Sequence, residues 1–122
     1  MLAVETGRLC RVRADTYSKS KYASVLGQVG GWTWFQALLT ELDGIAKKHG
    51  TSIANIACRW VLDRPAVAGI IVGARNANHV RDHQALAQVQ LDADDSARLQ
   101  ELLARGRQAQ GDVYDWERGG IW

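Results

Sequence analysis

The chain has 122 residues, the length of one small domain, and its 47% hydrophobic and 23% charged residues are typical of a soluble globular protein. Its 15 basic and 13 acidic residues are mixed along the chain and give a net charge of only +2, which argues against a nucleic-acid binder. No apolar run reaches the roughly 18 residues that a membrane-spanning helix needs, so we expect no membrane partner.

The start of the chain and its two cysteines give no sign of secretion. A basic segment followed by a long apolar one is missing from the first residues, and we therefore expect a cytoplasmic protein. Cys10 and Cys58 lack the spacing of a metal site. We interpret both as buried or surface thiols rather than as a disulfide or a nucleophile.

The pattern of the N-terminal half indicates two helices, which follow residues 1–16, a segment to which we assign no structure. A short alternation at residues 9–13 is compatible with an edge strand or a loop, and we leave both open. A helical stripe then runs from Tyr17 to Val29 and stops at two glycines, Gly30 and Gly31. The next stripe runs from Trp32 or the residue after it to His49, where Gly50 ends the helix.

A third helix follows almost without a linker. Thr51 or Ser52 is its expected N-cap, and Pro65 prevents its continuation. Apolar side chains at helical spacing form its predicted buried stripe: Ile53, Ile56, Ala57, Trp60 and Val61. We interpret a group of aromatic residues as core rather than as a cofactor site: Trp32, Trp34, Phe35 and Trp60.

The C-terminal half predicts one strand and two helices. Residues 69–72 are apolar and β-branched, and we expect a buried strand there. A short helix over residues 78–86 follows, and a closing helix begins after Asp92 with buried leucines at Leu99, Leu102 and Leu103. The tail, residues 108–122, is predicted to be coil that docks through Tyr114 and Trp116.

The junction between the strand and the short helix has the form of an anion-binding turn. A glycine, Gly73, ends the apolar run, and a cation, Arg75, precedes a helix start that Asn76 or Asn78 can cap. The N-terminus of a helix attracts phosphate because its backbone N–H groups are unpaired and its dipole is positive there.

The sequence from residue 45 onward resembles the C-terminal part of aldo-keto reductases. Four features match in order: a helix ending in KHG, a second helix with the A-x-x-W-x-L pattern, a strand ending in VGAR, and a closing helix after LD. The resemblance covers residues 30–103 and leaves the first fifteen unmatched. It implies an α/β ancestry, with the chain as a C-terminal fragment of a (β/α)8 TIM barrel that is mostly helical in isolation, with one or two strands.

The resemblance also implies a cofactor, NADP(H). In that family the turn after the last strand holds the adenosine 2′-phosphate, which assigns backbone N–H groups to Gly73 and Ala74 and a phosphate-binding guanidinium to Arg75. Where many members carry Gln and Asn near the adenine, this chain has His79 and His83. Their spacing would also suit a metal pair, but no further ligands accompany them, so we predict nucleotide contacts or surface histidines and no metal.

The family's catalytic Tyr, Lys, Asp and His have no counterpart here, so we assign no catalytic residue, although Tyr17, Lys21 and Tyr22 lie close together. We expect a single partial domain over residues 1–122: the NADP-phosphate part of a carbonyl reductase, inactive by itself. The chain would then be a fragment, a truncated product or one part of a split protein. The alternative is a non-catalytic helical interaction module.

An isolated piece of a barrel exposes the edges of its strand and the inner faces of its helices. Surfaces of that kind associate, because unpaired backbone groups and apolar patches both favour contact with another chain. We therefore expect either a homo-oligomer or a complex with the missing part of the barrel.

Overall fold

The computed structural model describes residues 16–111, apart from the side chains of residues 17 and 18, and this region is mostly helical. Its five helices, which confirm the five predicted ones, are α1 (Tyr17–Val29), α2 (Gly31–His49), α3 (Ile53–Leu62), α4 (Ala77–Leu86) and α5 (Ala93–Ala104). α2 and α4 each begin one residue earlier than the sequence pattern predicted. None of the described helices is both long and apolar enough to cross a membrane.

Two predicted segments fall almost wholly outside the described residues. Of the unplaced segment 1–16, the described part is Thr16, which caps α1 by accepting a hydrogen bond from the Lys19 N–H at 3.3 Å. Of the tail 108–122, residues 108–111 are described and carry no regular secondary structure. The proposed docking residues Tyr114 and Trp116 lie beyond them.

The described residues form two compact units, and the first comprises residues 16–36 and 105–111. Within it, the chain that follows α5 returns to the end of α1, where the Arg107 N–H donates to the Val29 carbonyl at 2.6 Å. Trp32 and Phe35 pack with ring centroids 5.8 Å apart at a tilt of 49°. Trp32 is nevertheless 40% exposed, so the interpretation of Trp32 as a core residue was wrong.

The second unit, residues 37–104, contains the hydrophobic core. Apolar side chains at helical spacing on α2, α3 and α5 meet there with one residue of the α4–α5 linker; the buried set is Leu42, Ile45, Ala46, Ile56, Val89 and Leu99. Ile53, Ala57 and Trp60 pack against this set, as the stripe on α3 predicted. Val61 was placed on the same stripe but is 41% exposed, so its predicted burial was wrong.

The α2–α3 corner is stabilised by backbone hydrogen bonds. Gly50 adopts a φ of 62°, which favours glycine, and the Thr51 N–H donates back to the Ala46 carbonyl at 2.9 Å. Ser52 then caps α3 by accepting the Asn55 N–H at 3.2 Å. The predicted helix stop and helix cap are both confirmed, so the turn between the two helices is specified locally.

A cluster of four charged or polar side chains joins the end of α2 to the start of α5. Lys48 Nζ lies 2.5 Å from Asp92 Oδ2 and 2.8 Å from Asp95 Oδ1, and His49 Nε2 lies 2.6 Å from Asp95 Oδ2. The two aspartates also cap α5 reciprocally, since each carboxylate accepts the backbone N–H of the other. Asp95 lies in the first turn of α5 and is 3% exposed, and sequence reasoning did not single out this burial.

Contacts within the cluster shift the pKa values of Lys48, Asp92 and Asp95. The hydrogen bond from Lys48, helped by the Asp95 backbone N–H, lowers the pKa of Asp92 to about 2. Burial of Asp95 opposes ionisation, but hydrogen bonds from Lys48 and His49 outweigh it and hold the pKa of Asp95 below its usual range. Hydrogen bonds to Asp92 and Asp95 raise the pKa of Lys48 in return. These groups are therefore ionised at neutral pH and stabilise the α2–α5 contact.

The predicted strand at residues 69–72 is not formed in the part of the chain that the structure describes. These residues have no regular secondary structure, Ile71 is fully exposed and Val72 is 41% exposed. A strand needs the backbone groups of a neighbouring strand, and no other strand lies within residues 16–111 to supply them. The expectation of a buried strand, and of one or two strands in all, was therefore wrong for this region.

Lys48→Met removes the hydrogen bonds that lower the pKa of Asp92 and Asp95. Because the folded-state pKa of Asp92, about 2, lies below that of the unfolded chain, its ionised form stabilises the fold above about pH 4. This contribution is lost as the pH falls through about 2. We expect the variant to have a lower Tm than the wild type at neutral pH, and the difference to shrink on acidification, as measured by circular dichroism.

The matched control is Lys47→Met on the preceding residue. Lys47 pairs only one helical turn away, with Asp43 at 2.6 Å, and its side chain is 73% exposed. Exposed pairs of this kind contribute little to stability. An equal loss of Tm in the two variants would contradict the role assigned to Lys48.

Candidate functional site

The predicted anion-binding turn lies immediately before α4, and its three residues Gly73, Ala74 and Arg75 are exposed. Asn76 is the N-cap of α4: its Oδ1 accepts the N–H of Asn78 at 3.0 Å and that of His79 at 3.3 Å. Of the two caps that the sequence left open, the structure thus selects Asn76. The turn leads directly into a capped helix N-terminus, as the sequence predicted.

His79 is hydrogen-bonded to the backbone of the turn. The Arg75 N–H donates to His79 Nδ1 at 3.1 Å. A ring nitrogen that accepts a hydrogen bond carries no proton, so this contact requires an unprotonated Nδ1. The sequence assigned His79 to the nucleotide, and this contact with Arg75 was missed, although their spacing of four residues across a helix start was a signal for it.

His83 contacts the other end of the same turn. Its Nε2 lies 3.0 Å from the carbonyl oxygen of Gly73. Because a carbonyl oxygen only accepts, the imidazole is the donor and Nε2 carries the proton. All five predicted site residues, Gly73, Ala74, Arg75, His79 and His83, therefore lie in one local structure in which the two histidines hold the turn.

A buried asparagine on α3 determines where α4 lies. Asn55 is 4% exposed, and its Nδ2 donates to Thr51 Oγ1 at 2.9 Å and to the Asp82 carbonyl of α4 at 3.0 Å. Sequence reasoning did not single out Asn55. The available signal was a polar residue directly before Ile56 in a helix that is otherwise largely apolar, since a buried amide must find partners.

The turn presents hydrogen-bond donors and positive charge to solvent. Within residues 16–111, the N–H groups of Gly73 and Ala74 have no hydrogen-bond partner, and α4 has no acidic residue in its first turn. The Arg75 guanidinium adds a fixed cation with a planar set of donors. This donor set, at the positive end of a helix dipole, suits a phosphate or another oxyanion.

The groups outside the turn offer a ligand fewer favourable contacts. Among the described residues no group of three or more His, Cys, Asp or Glu side chains could hold a metal ion, and Cys58 is a half-buried free thiol. Tyr22 is 67% exposed. A pocket of about 240 Å³ at the α2–α3 corner shares no residue with the turn and is lined by His49, Gly50, Thr51, Ala85, Gln88 and Val89.

Comparison with known proteins identifies the family of the chain. Flagellar radial spoke protein 5 of Chlamydomonas reinhardtii is 40% identical over 50 residues, which cover 41% of this chain and 10% of that protein. The matched region is thus about a tenth of the length of the curated relative. The sequence profile of the Aldo/keto reductase family matches residues 4–104, which includes most of the segment that sequence analysis left unplaced. The chain belongs to the Aldo/keto reductase family.

Proposed function

We propose that this chain is the NADP-phosphate-binding part of an aldo-keto reductase, an enzyme that transfers hydride between NADPH and a carbonyl or alcohol. Residues 69–72 would be the eighth strand of the (β/α)8 barrel, and the turn after it would receive the adenosine 2′-phosphate. Family membership supports an oxidoreductase ancestry. Beyond family membership, the proposal is that these residues bind the 2′-phosphate of the cofactor.

The single observation that carries the proposal is the convergence of donors at the turn. The backbone N–H groups of Gly73 and Ala74, which have no partner among residues 16–111, lie beside the exposed Arg75 and the capped N-terminus of α4. A phosphate dianion accepts several such bonds at once, and a guanidinium is well matched to its oxygens. NADH lacks this phosphate, so the site would favour NADPH.

The proposed roles differ along α4. Gly73, Ala74 and Arg75 bind the phosphate, while His79 and His83 shape the turn and offer their ring faces to the adenine. We assign no residue of this chain to hydride transfer and propose that the chain alone does not turn over a carbonyl substrate. The proposed location of the protein is the cytoplasm.

A second candidate function is protein association through the irregular segment 68–72. Ile71 is fully exposed and no strand of the described region pairs with its backbone, while Val80 of α4 is 48% exposed. An unpaired apolar segment of this kind is a template for adding a strand. The proposed partner is a second copy of the chain or the remainder of a barrel.

Titration of the chain with NADPH, followed by tryptophan fluorescence, tests the cofactor proposal. We expect Arg75→Ala to weaken NADPH binding by about tenfold or more, because it removes charge-assisted hydrogen bonds to the phosphate. NADH should bind weakly to the wild type and to the variant alike.

The matched control is Arg81→Ala, since Arg81 is also exposed on α4 but lies outside the turn. We expect this variant to bind NADPH like the wild type. Equal NADPH affinity of the wild type and Arg75→Ala, or equal losses in both arginine variants, would contradict the proposed phosphate site.

Light scattering coupled to size-exclusion chromatography tests association. We expect the wild type to form a dimer or larger oligomer at micromolar concentration, and Ile71→Lys to shift it toward monomer, because a charge at this position opposes strand pairing. Tyr22→Ser, at an exposed residue of α1, is the control and should leave the oligomer intact. A stable wild-type monomer would rule out self-association.

A further inference from the structure

The Arg75 backbone N–H already has an acceptor inside the chain. It donates to His79 Nδ1 at 3.1 Å, whereas the neighbouring N–H groups of Gly73 and Ala74 have no partner within the described residues. A phosphate seated on this turn would meet two available backbone donors and a third that an imidazole occupies. His79 and the phosphate are therefore competitors for the same hydrogen bond.

We propose that His79 is a proton-operated latch on the turn, which withholds the Arg75 N–H from a phosphate when neutral and releases it when protonated. The inference rests on the proposed phosphate site and adds regulation to it. The latch consists of one hydrogen bond between residues four positions apart, so its opening requires only a rotation of the His79 side chain.

Protonation of His79 acts on the turn in two ways, and both strengthen phosphate binding. A protonated imidazole donates from both nitrogens and no longer accepts, so the Arg75 N–H loses its internal partner and becomes available to an oxyanion. The imidazolium also adds a positive charge in the first turn of α4, close to Arg75. Both changes favour phosphate binding, and imidazoles ordinarily titrate near neutral pH.

The charged surroundings of His79 come from three elements. The turn contributes Arg75, and α4 itself contributes Arg81, Asp82 and His83. On α3, which packs against α4, Arg59 pairs with Asp63 at the C-cap, and Arg64, which follows the helix, lies 4.0 Å from the Trp60 ring centroid.

His83 does not share this behaviour. It donates from Nε2 to the Gly73 carbonyl, and an imidazole can make this bond both when neutral and when protonated. Acidification therefore leaves the His83 contact in place while it breaks the His79 contact. The turn stays attached to α4 at Gly73, and only the Arg75 end is released.

The first experiment measures NADPH affinity between about pH 8.5 and 6.5 for the wild type, His79→Ala and His79→Gln. The wild type should bind about tenfold more tightly at the lower pH, because one more donor reaches the phosphate. His79→Ala frees the Arg75 N–H permanently and should bind more tightly than the wild type at pH 8.5. His79→Gln retains an acceptor that cannot be protonated and should bind weakly throughout.

The 2′-phosphate itself gains a proton near pH 6, and this loss of negative charge weakens NADPH binding on acidification in every variant. The readout is therefore the difference in pH dependence between the wild type and the two variants. NADH keeps the adenine and lacks the 2′-phosphate, so it is the control: any effect of residue 79 on NADH affinity reports the adenine contact, and the effect on the phosphate is what NADPH shows in addition. Equal pH dependence of NADPH binding in all three proteins would overturn the latch.

The second experiment is independent of nucleotide. In ¹⁵N-labelled protein without NADPH, the Arg75 amide resonance should shift with the protonation of His79 in the wild type and not in His79→Gln. If NADPH binding depends on Arg75 but the Arg75 amide resonance does not shift with pH, the latch is refuted and the proposed phosphate site stands. A titrating amide with no NADPH binding would refute the phosphate site, and with it the competition.

Discussion

The amide of Asn55 is buried in the second unit and donates both of its N–H groups. One bond reaches Thr51 at the α2–α3 corner and the other reaches the Asp82 carbonyl in the middle of α4. A buried amide without partners would cost more than the bonds contribute when made, so this pair of bonds strongly favours one position of α4 beside α3. The turn that precedes α4 depends on that position.

From Asn55 outward, polar contacts connect the core to the turn. Asn76 caps α4, while His79 and His83 bond to the backbone at Arg75 and Gly73. The turn therefore has a defined shape although no sheet supports it in the described region. A preorganised set of donors loses less entropy on binding an anion than a flexible loop would. This preorganisation favours anion binding at the proposed phosphate site.

The irregular segment 68–72 shows the opposite behaviour. Helices satisfy their own backbone hydrogen bonds, so α1 to α5 need no neighbouring strand, and Ser52, Asn76 and Asp92 lie at the starts of α3, α4 and α5. A strand satisfies its backbone only through a neighbour. The apolar, β-branched residues that suit a buried strand therefore remain exposed here, and Ile71 is the clearest example.

Sequence alone determined the features that depend on neighbours along the chain. Helix positions and the Gly50 stop followed from local spacing and residue type, and the caps of α3 and α4 were each narrowed to two neighbouring candidates, because capping and helical periodicity act over a few residues. The resemblance of its motifs to known sequences indicated the family. Tertiary structure decided what depends on distant partners. It buried Asp95 against Lys48 and His49, gave Asn55 its acceptor on α4, and left residues 69–72 unpaired. No local pattern specifies these contacts, since each requires groups that only folding, or another part of a barrel, brings together.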